Sequence, residues 1–132
     1  MTIHEAIRTI DKLRPGNTYS EKEKIAWLST LDGIIYQEII KTHEGSETVS
    51  FHGYDGSTDI DTVLLVPSPY CELYLYYLEA QIDFNNAELT KYNNDMTLYN
   101  NAYTAFSAWY NRHHIIHEIH HHLIARWKRP SF

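Results

Sequence analysis

Cysteine, glycine and proline are scarce in this chain of 132 residues, and each shortage excludes a class of protein. The single cysteine, Cys71, cannot form an internal disulfide, so the chain is not a disulfide-stabilised secreted scaffold. Five glycines and four prolines are too few for a low-complexity chain, and 43% apolar residues suffice for a core. No apolar run has the length of a signal peptide or membrane span. We therefore expect a soluble protein, made in the cytoplasm, without membrane contact.

The short motifs of common enzymes are also missing from the sequence. There is no nucleophile elbow, no glycine-rich phosphate loop, no pair of zinc-binding cysteines and no dinucleotide-binding fingerprint. Carboxylates such as Glu79, Asp83 and Glu88 have no histidine near them in sequence, which favours a solvated helix face. We expect no catalytic residue, no cofactor and no enzymatic activity.

Negative charge is concentrated in the body of the chain. The formal net charge is −6, which divides into +3 for residues 112–132 and −9 for the remainder. An acidic body argues against direct nucleic-acid recognition, because phosphates attract basic surfaces. The basic end is either a solvated terminus or a segment that docks on an acidic partner.

Two short amphipathic helices are predicted before residue 46. Thr2 with Glu5, and Ser20 with Glu23, have the spacing of capping boxes. Apolar residues at helical spacing follow each box, which predicts helices over residues 2–13 and 21–43, the second ended by Gly45. Residues 46–68 differ, because β-branched and aromatic residues flank Asp55-Gly56-Ser57. This segment is predicted to be an extended loop or a β-hairpin.

The region from Pro69 to Arg112 is predicted to be one long helix, opened by Ser68 as N-cap. Its apolar seam keeps a 3-4 spacing through Leu75, Leu78, Ile82, Asn85, Leu89, Tyr92, Met96, Tyr99, Tyr103, Phe106 and Tyr110. The alternative is a break at residues 83–86 or 93–95 that makes an antiparallel pair. The fold class is therefore mainly α, a small bundle in which two N-terminal helices pack on the long helix, with residues 1–112 as one domain.

Residues 113–132 form a histidine-rich, basic extension that contains six of the nine histidines. His113, His117 and His121 lie on one helical face, and His117-Glu118-Ile119-His120-His121 matches the H-E-x-x-H pattern of zinc peptidases. A chance match is easy where histidine is so abundant, and after the adjacent His122 no His, Asp, Glu or Cys follows. We therefore predict no metal site and treat these three histidines as weak candidates only. A pH-responsive edge is a further alternative.

Two stretches resemble the head-tail connector, or adaptor, family of tailed bacteriophages and prophages. They are EKIAWLSTLDGIIYQEIIKTHEG from Glu23 and LLVPSPYCELYLYYLEAQIDFNNAELTKYNNDMTLYNNAYTAFSAWYNR from Leu64. The resemblance covers roughly residues 1–112, and the histidine-rich end lies outside it. It implies a ring of about a dozen subunits. The ring docks on the portal protein and binds neck or tail proteins.

The hypothesis from the sequence is thus a non-enzymatic virion protein made in the bacterial cytoplasm. The aromatic part of the seam and the tail are predicted to contact other subunits and partner proteins: Tyr92, Tyr99, Tyr103, Phe106, Tyr110 and Trp127. Two alternatives stay open. One is a cytoplasmic helical oligomer or regulator unrelated to virions, and the other is a zinc-dependent hydrolase that uses His117, Glu118 and His121.

Overall fold

Four α-helices build the described part of the chain, where the sequence predicted three. The computed structural model describes residues 1–114. The helices are α1 (Ile3–Leu13), α2 (Glu21–Glu38), α3 (Leu73–Asn85) and α4 (Leu89–His113), with short 3-10 turns at Ile40–Thr42 and Ser46–Thr48. This arrangement confirms the mainly α class and the small helical bundle. None of these helices is long and apolar enough to cross a membrane.

Both predicted N-caps fix the starts of the first two helices, and Ser20 with Glu23 forms the complete capping box. The Thr2 hydroxyl accepts from the Glu5 backbone N–H at 3.1 Å, and the Ser20 hydroxyl accepts from that of Glu23 at 3.1 Å. Glu23 completes its box by accepting from the Ser20 backbone N–H at 2.7 Å. These bonds satisfy amide groups that a helix N-terminus leaves without partners. Helix α2 ends at Glu38, earlier than predicted, and the 3-10 turn continues to Thr42.

The prediction of a single long helix from Pro69 to Arg112 is wrong. The chain instead turns at Asn86–Glu88, and α3 and α4 form an antiparallel hairpin. Ring pairs match across it: Phe84 with Tyr92 and Tyr77 with Tyr99 between the two helices, and Tyr70 of the turn before α3 with Phe106. The alternative of a break at residues 83–86 lies nearest to the observed turn.

A Schellman motif ends α3. The Glu88 N–H donates to the Asp83 carbonyl at 2.9 Å, and the Ala87 N–H donates to the Phe84 carbonyl at 3.0 Å. This pattern needs a residue of positive φ at the position after the cap, which is usually glycine. Here Ala87 has φ of 60°. The helix therefore stops without the glycine or proline that would have marked the turn in the sequence.

Ala87→Gly is expected to stabilise the protein by roughly 0.5–1 kcal/mol, because glycine adopts positive φ without a Cβ clash. The matched control is Ala26→Gly on the exposed face of α2, which should destabilise by about 1 kcal/mol. Urea denaturation followed by circular dichroism measures both. Two variants that lose stability equally would show that the Ala87 turn is not strained.

The start of the predicted long helix also needs correction. Helix α3 begins at Leu73, and Pro69 lies before it, after a cis Ser68-Pro69 peptide bond. The Tyr70 N–H donates to the Pro67 carbonyl at 2.9 Å, so these residues form a turn in place of the first helical turn. Ser68 is therefore not the N-cap.

Residues 46–68 form an extended loop attached to the surface, and the β-hairpin alternative is wrong. Within residues 1–114 the only β-pairing is an isolated bridge between Thr2 and Val63. Asp55 forms its hydrogen bonds within its own tight turn. It accepts from the Ser57 N–H at 2.8 Å and from the Ser57 hydroxyl at 2.6 Å.

The core is continuous across all four helices and the end of the loop. It is mostly aliphatic, with a few aromatic rings from the hairpin. Its fully buried large side chains include Ile3, Ile10, Leu28, Leu31, Ile35, Val66, Leu73, Tyr74, Leu78, Ile82 and Phe106.

Candidate interaction surfaces

The segment before α3 wraps the N-terminus of α1. The N–H groups of Ile3 and His4 donate to the carbonyls of Thr62 and Ile60 at 3.0 and 2.9 Å, and the Leu64 N–H donates to the Met1 carbonyl at 2.9 Å. These bonds supply partners for amides at the helix start. They also fix Ile60 and Val63 at the surface, where the two side chains are 38% and 66% exposed. We call Ile60 and Val63 the proximal patch.

Large apolar side chains are also exposed at the other end of α1. Leu13 is 51% exposed in its last turn, and Phe84 and Leu89, on either side of the hairpin turn, are 55% and 62% exposed. We call Leu13, Phe84 and Leu89 the distal patch. Helix α1 has eleven residues, so its two ends lie about 16 Å apart along its axis.

Polar contacts hold the hairpin turn against the C-terminal end of α1. The Arg14 guanidinium forms an ion pair with the Asp83 carboxylate, and the Tyr19 hydroxyl donates to the Asn86 side-chain oxygen at 2.6 Å. These contacts fix the position of the hairpin turn, and with it the position of the distal patch.

A second carboxyl group lies beside this ion pair. Asp83 and Asp95 are both buried, and their carboxyl groups are in hydrogen-bond contact, which requires one of them to carry a proton. Burial and the neighbouring Asp83 raise the pKa of Asp95 to about 7. Burial opposes ionisation of Asp83 too, but the hydrogen bond with Asp95 and the Arg14 charge lower its pKa overall. Asp95 Oδ2 has no donor among residues 1–114.

The 46–68 loop is fixed along α2 by specific contacts. The Tyr36 hydroxyl donates to the Val49 carbonyl at 3.2 Å, and the Tyr54 N–H donates to the Ser29 hydroxyl at 2.9 Å. Phe51 lies over Gly33, where a Cβ would come within 3.7 Å of the ring. A Cβ at that distance would make an ordinary van der Waals contact, so the space between α2 and the ring would also accept an alanine.

Asp32 is the central anchor of this loop and is fully buried in α2. Its carboxylate accepts from three groups: the Tyr54 hydroxyl at 2.5 Å, the Tyr74 hydroxyl at 2.6 Å and the Leu65 N–H at 3.1 Å. The Tyr74 hydroxyl in turn accepts from the Val66 N–H at 2.8 Å. Burial raises the pKa of Asp32, although the three donors act against that rise. The network joins α2, α3 and the loop and is structural in character.

The aromatic residues predicted to contact partners are distributed between core and surface. Tyr99 and Phe106 are buried in the core of the chain itself, so these two side chains are no longer candidates for contact with a partner. Tyr92 is half-buried against Phe84, and Tyr103 donates to the Glu38 carboxylate at 2.5 Å. Tyr110 stacks on His114 with ring centroids 3.8 Å apart. Trp127 lies outside the described residues.

The described part of the chain does not bring together the three histidines that were weak candidates for metal ligands. His113 is exposed and its Nδ1 lies 2.8 Å from the Trp109 carbonyl, whereas His117 and His121 lie outside residues 1–114. Within those residues no three His, Cys, Asp or Glu side chains form a group that could hold a metal. The buried histidine is His43, which contacts the Ile39 carbonyl at 2.5 Å and Asn111 Oδ1 at 2.8 Å.

The outward face of α4 is a surface that the sequence patterns did not indicate. Between Tyr92 and Asn111 the only charged residue is Asp95, and Asp95 is buried. A second seam of exposed residues runs along one side of the helix, next to the turn that precedes α3: Asn94, Leu98, Asn101, Ala105 and Ala108. We call these five residues the outer face. The signal that could have found it is a run of twenty residues with one charge in an otherwise acidic chain.

Comparison of the chain with family models, with curated proteins and with solved structures found no match in any of the three.

Proposed function

We propose that this protein is a non-enzymatic structural subunit that bridges two neighbours in an assembly. The observation that carries the proposal is the exposure of large apolar side chains at both ends of α1, in the proximal and distal patches. Exposed apolar groups gain free energy when a partner covers them, and clustered ones are typical of contact sites. Two such patches on one small fold are suited to two different partners.

The way in which both patches are held supports this role. The proximal patch is fixed by backbone hydrogen bonds to α1, and the distal patch is braced by the Arg14–Asp83 ion pair. A rigid body transmits position from one partner to the other and loses little entropy on binding. A bridging subunit needs both properties.

Within this role we propose a head-tail connector of a tailed bacteriophage or prophage. The two stretches that resemble that family form most of α2, the end of the loop and the entire α3–α4 hairpin. In this assignment the subunits form a ring in the virion after synthesis in the host cytoplasm. One patch contacts the portal protein, and the other contacts the neck or tail proteins.

The two ends can be tested separately with Val63→Asp in the proximal patch and Leu89→Asp in the distal patch. Each variant should weaken binding to one partner by at least about 100-fold, because an unpaired carboxylate at a buried contact costs several kcal/mol. The binding partners are purified portal rings and the purified neck protein encoded with the chain. Gln37→Glu, an exposed change on α2, is the matched control and should bind both as wild type does.

Deletion of the gene from the phage or prophage that carries it should give heads without attached tails in electron micrographs. Purified wild-type particles should contain the chain in multiple copies by quantitative mass spectrometry. The proposal is wrong if particles lack the chain, or if both aspartate variants bind portal and neck proteins as tightly as wild type. The first result would favour the alternative of a regulator unrelated to virions.

A further inference from the structure

The surface around the proximal patch is acidic. Between Lys41 and Lys91 the chain contains nine Asp and Glu residues and no Lys or Arg. Three of the nine are exposed in the loop that carries the patch: Asp55, Asp59 and Asp61. An exposed apolar patch with an acidic rim is suited to an occupant that is both apolar and basic.

The first turn of α1 adds to this negative charge. The His4 N–H donates to the Ile60 carbonyl at 2.9 Å, so the neighbouring Glu5, which is exposed, lies beside the patch. Arg8, one turn further along α1, offsets one of these charges. Four carboxylates against one guanidinium leave the surface negative.

A segment of complementary character belongs to the same chain. Residues 126–132, which we call the basic segment, lie outside the described residues. They contain no Asp or Glu, and they combine three cations with two large aromatic side chains: Arg126, Lys128, Arg129, Trp127 and Phe132. Trp and Arg are among the side chains that most often dominate the binding energy of a contact.

Helix α4 ends on the side of the bundle where the proximal patch lies. The hairpin turn, where α4 begins, is held at the end of α1 by the Arg14–Asp83 ion pair. From there α4 runs to the turn after α2, where Asn111 Oδ1 lies 2.8 Å from His43 Nε2. The proximal patch is bonded to the first turn of α1. The patch and the end of α4 are therefore both remote from the hairpin turn.

The chain between α4 and the basic segment is long enough to reach the patch. Arg126 follows His114 by twelve residues, and twelve extended residues span up to roughly 40 Å. Helix α1, whose first turn carries the patch, is only about 16 Å long.

We propose that the basic segment docks on the proximal patch of its own chain. Trp127 covers Ile60 and Val63, and the cations on either side of it lie beside the carboxylates of the rim. A segment joined to the same chain meets its site at an effective concentration on the order of millimolar, so even a weak contact is occupied. A second copy is a poorer source of the segment, because each copy has a net charge of −6 and the copies repel each other.

This docking concerns the free subunit and goes beyond the bridging role, which it does not require. It covers two exposed apolar side chains before assembly, when they would otherwise be open to nonspecific contacts. A partner that binds the proximal patch takes the place of the basic segment. The measurement below needs neither portal nor neck protein, so its failure leaves the bridging proposal standing.

Paramagnetic broadening in NMR spectra of the full chain measures the docking. The probe is a nitroxide attached to Ser131→Cys in a Cys71→Ser background, which leaves a single reactive thiol. The amide signals of residues 59–64 should be lost, whereas those of residues 87–91 at the hairpin turn should persist.

Charge substitutions show whether the contact is the proposed one. Replacing Arg126, Lys128 and Arg129 together with Gln should restore the signals of residues 59–64, because the segment then has no cation for the acidic rim. The matched control removes the same charge from exposed positions in the body of the chain: Lys12→Gln, Lys22→Gln and Lys41→Gln. It should keep the broadening. Added salt at 1 M should weaken the broadening in the parent chain, since the Debye length falls to about 3 Å.

A mixture of two samples identifies the molecule that supplies the segment. Isotope-labelled chain without nitroxide is mixed with unlabelled chain that carries it, and docking within one chain leaves the signals of residues 59–64 intact. Their loss in the mixture would show that a second copy supplies the segment and would overturn the proposal. Intact signals in the chain that carries both labels, or broadening that survives the triple Gln substitution in the basic segment, would overturn it as well.

Discussion

Replacing Asp32 with alanine is expected to destabilise the protein by about 3 kcal/mol, which lowers the melting temperature by roughly 10 °C. The substitution leaves the hydroxyls of Tyr54 and Tyr74 and the N–H of Leu65 without their common acceptor. The Tyr74 hydroxyl is buried and the other two donors are half-buried, and an unsatisfied buried donor costs about 1–3 kcal/mol. Relief of the unfavourable burial of Asp32, which raises its pKa, offsets part of this loss.

Graded variants separate the hydrogen bonds from simple packing. Asp32→Asn keeps the shape and one acceptor oxygen, so it should cost less than alanine, about 1–2 kcal/mol. Tyr54→Phe removes a single, half-buried donor and should cost about 1 kcal/mol. Urea titrations of the three variants give these values. Equal losses for Asp32→Ala and Asp32→Asn, or a loss below 1 kcal/mol for alanine, would show that the network contributes little.

The position of Asp32 illustrates what the sequence could have predicted. It follows Leu28 by four residues and precedes Ile35 by three, so it lies on the core-facing stripe of α2. An acidic residue at such a position needs partners, and tyrosines are suitable donors. Which tyrosines they are depends on the path of the 46–68 loop, and that path is set by tertiary contacts rather than by local pattern.

Local signals predicted the starts of α1 and α2 but failed at the start of α3 and at the hairpin turn, for a physical reason. The N-caps Thr2 and Ser20 each lie three residues before a glutamate, so both could be read directly from the sequence. The turn after Asn85 relies on a backbone motif with alanine at its positive-φ position. The 3-4 count also runs across the turn without a slip, although Asn85 and Leu89, the two seam residues beside the turn, are exposed. A continuous count therefore does not require a continuous helix.

The acidic pair in the hairpin should make the stability of the protein fall as pH rises. Because the pKa of Asp95 is raised from 3.8 to about 7, the folded state keeps a proton that the unfolded state releases above pH 4. Each pH unit between these values then costs about 1.4 kcal/mol, or roughly 3 kcal/mol from pH 5 to pH 8. The charges around Asp95 are Asp83, Glu79 and Arg14. Asp83 has a lowered pKa, so its own contribution is lost only in more acidic solution.

Asp95→Asn isolates this effect from those of the other ionisable groups in the chain. The amide resembles the protonated acid, so variant and wild type should differ little at pH 5. At pH 8 the variant should have gained roughly 3 kcal/mol relative to wild type, because no second carboxylate forms beside Asp83. Asp61→Asn, at an exposed loop position, is the matched control and should follow wild type across the range. A difference between Asp95→Asn and wild type that is the same at pH 5 and pH 8 would mean that Asp95 does not hold the proton.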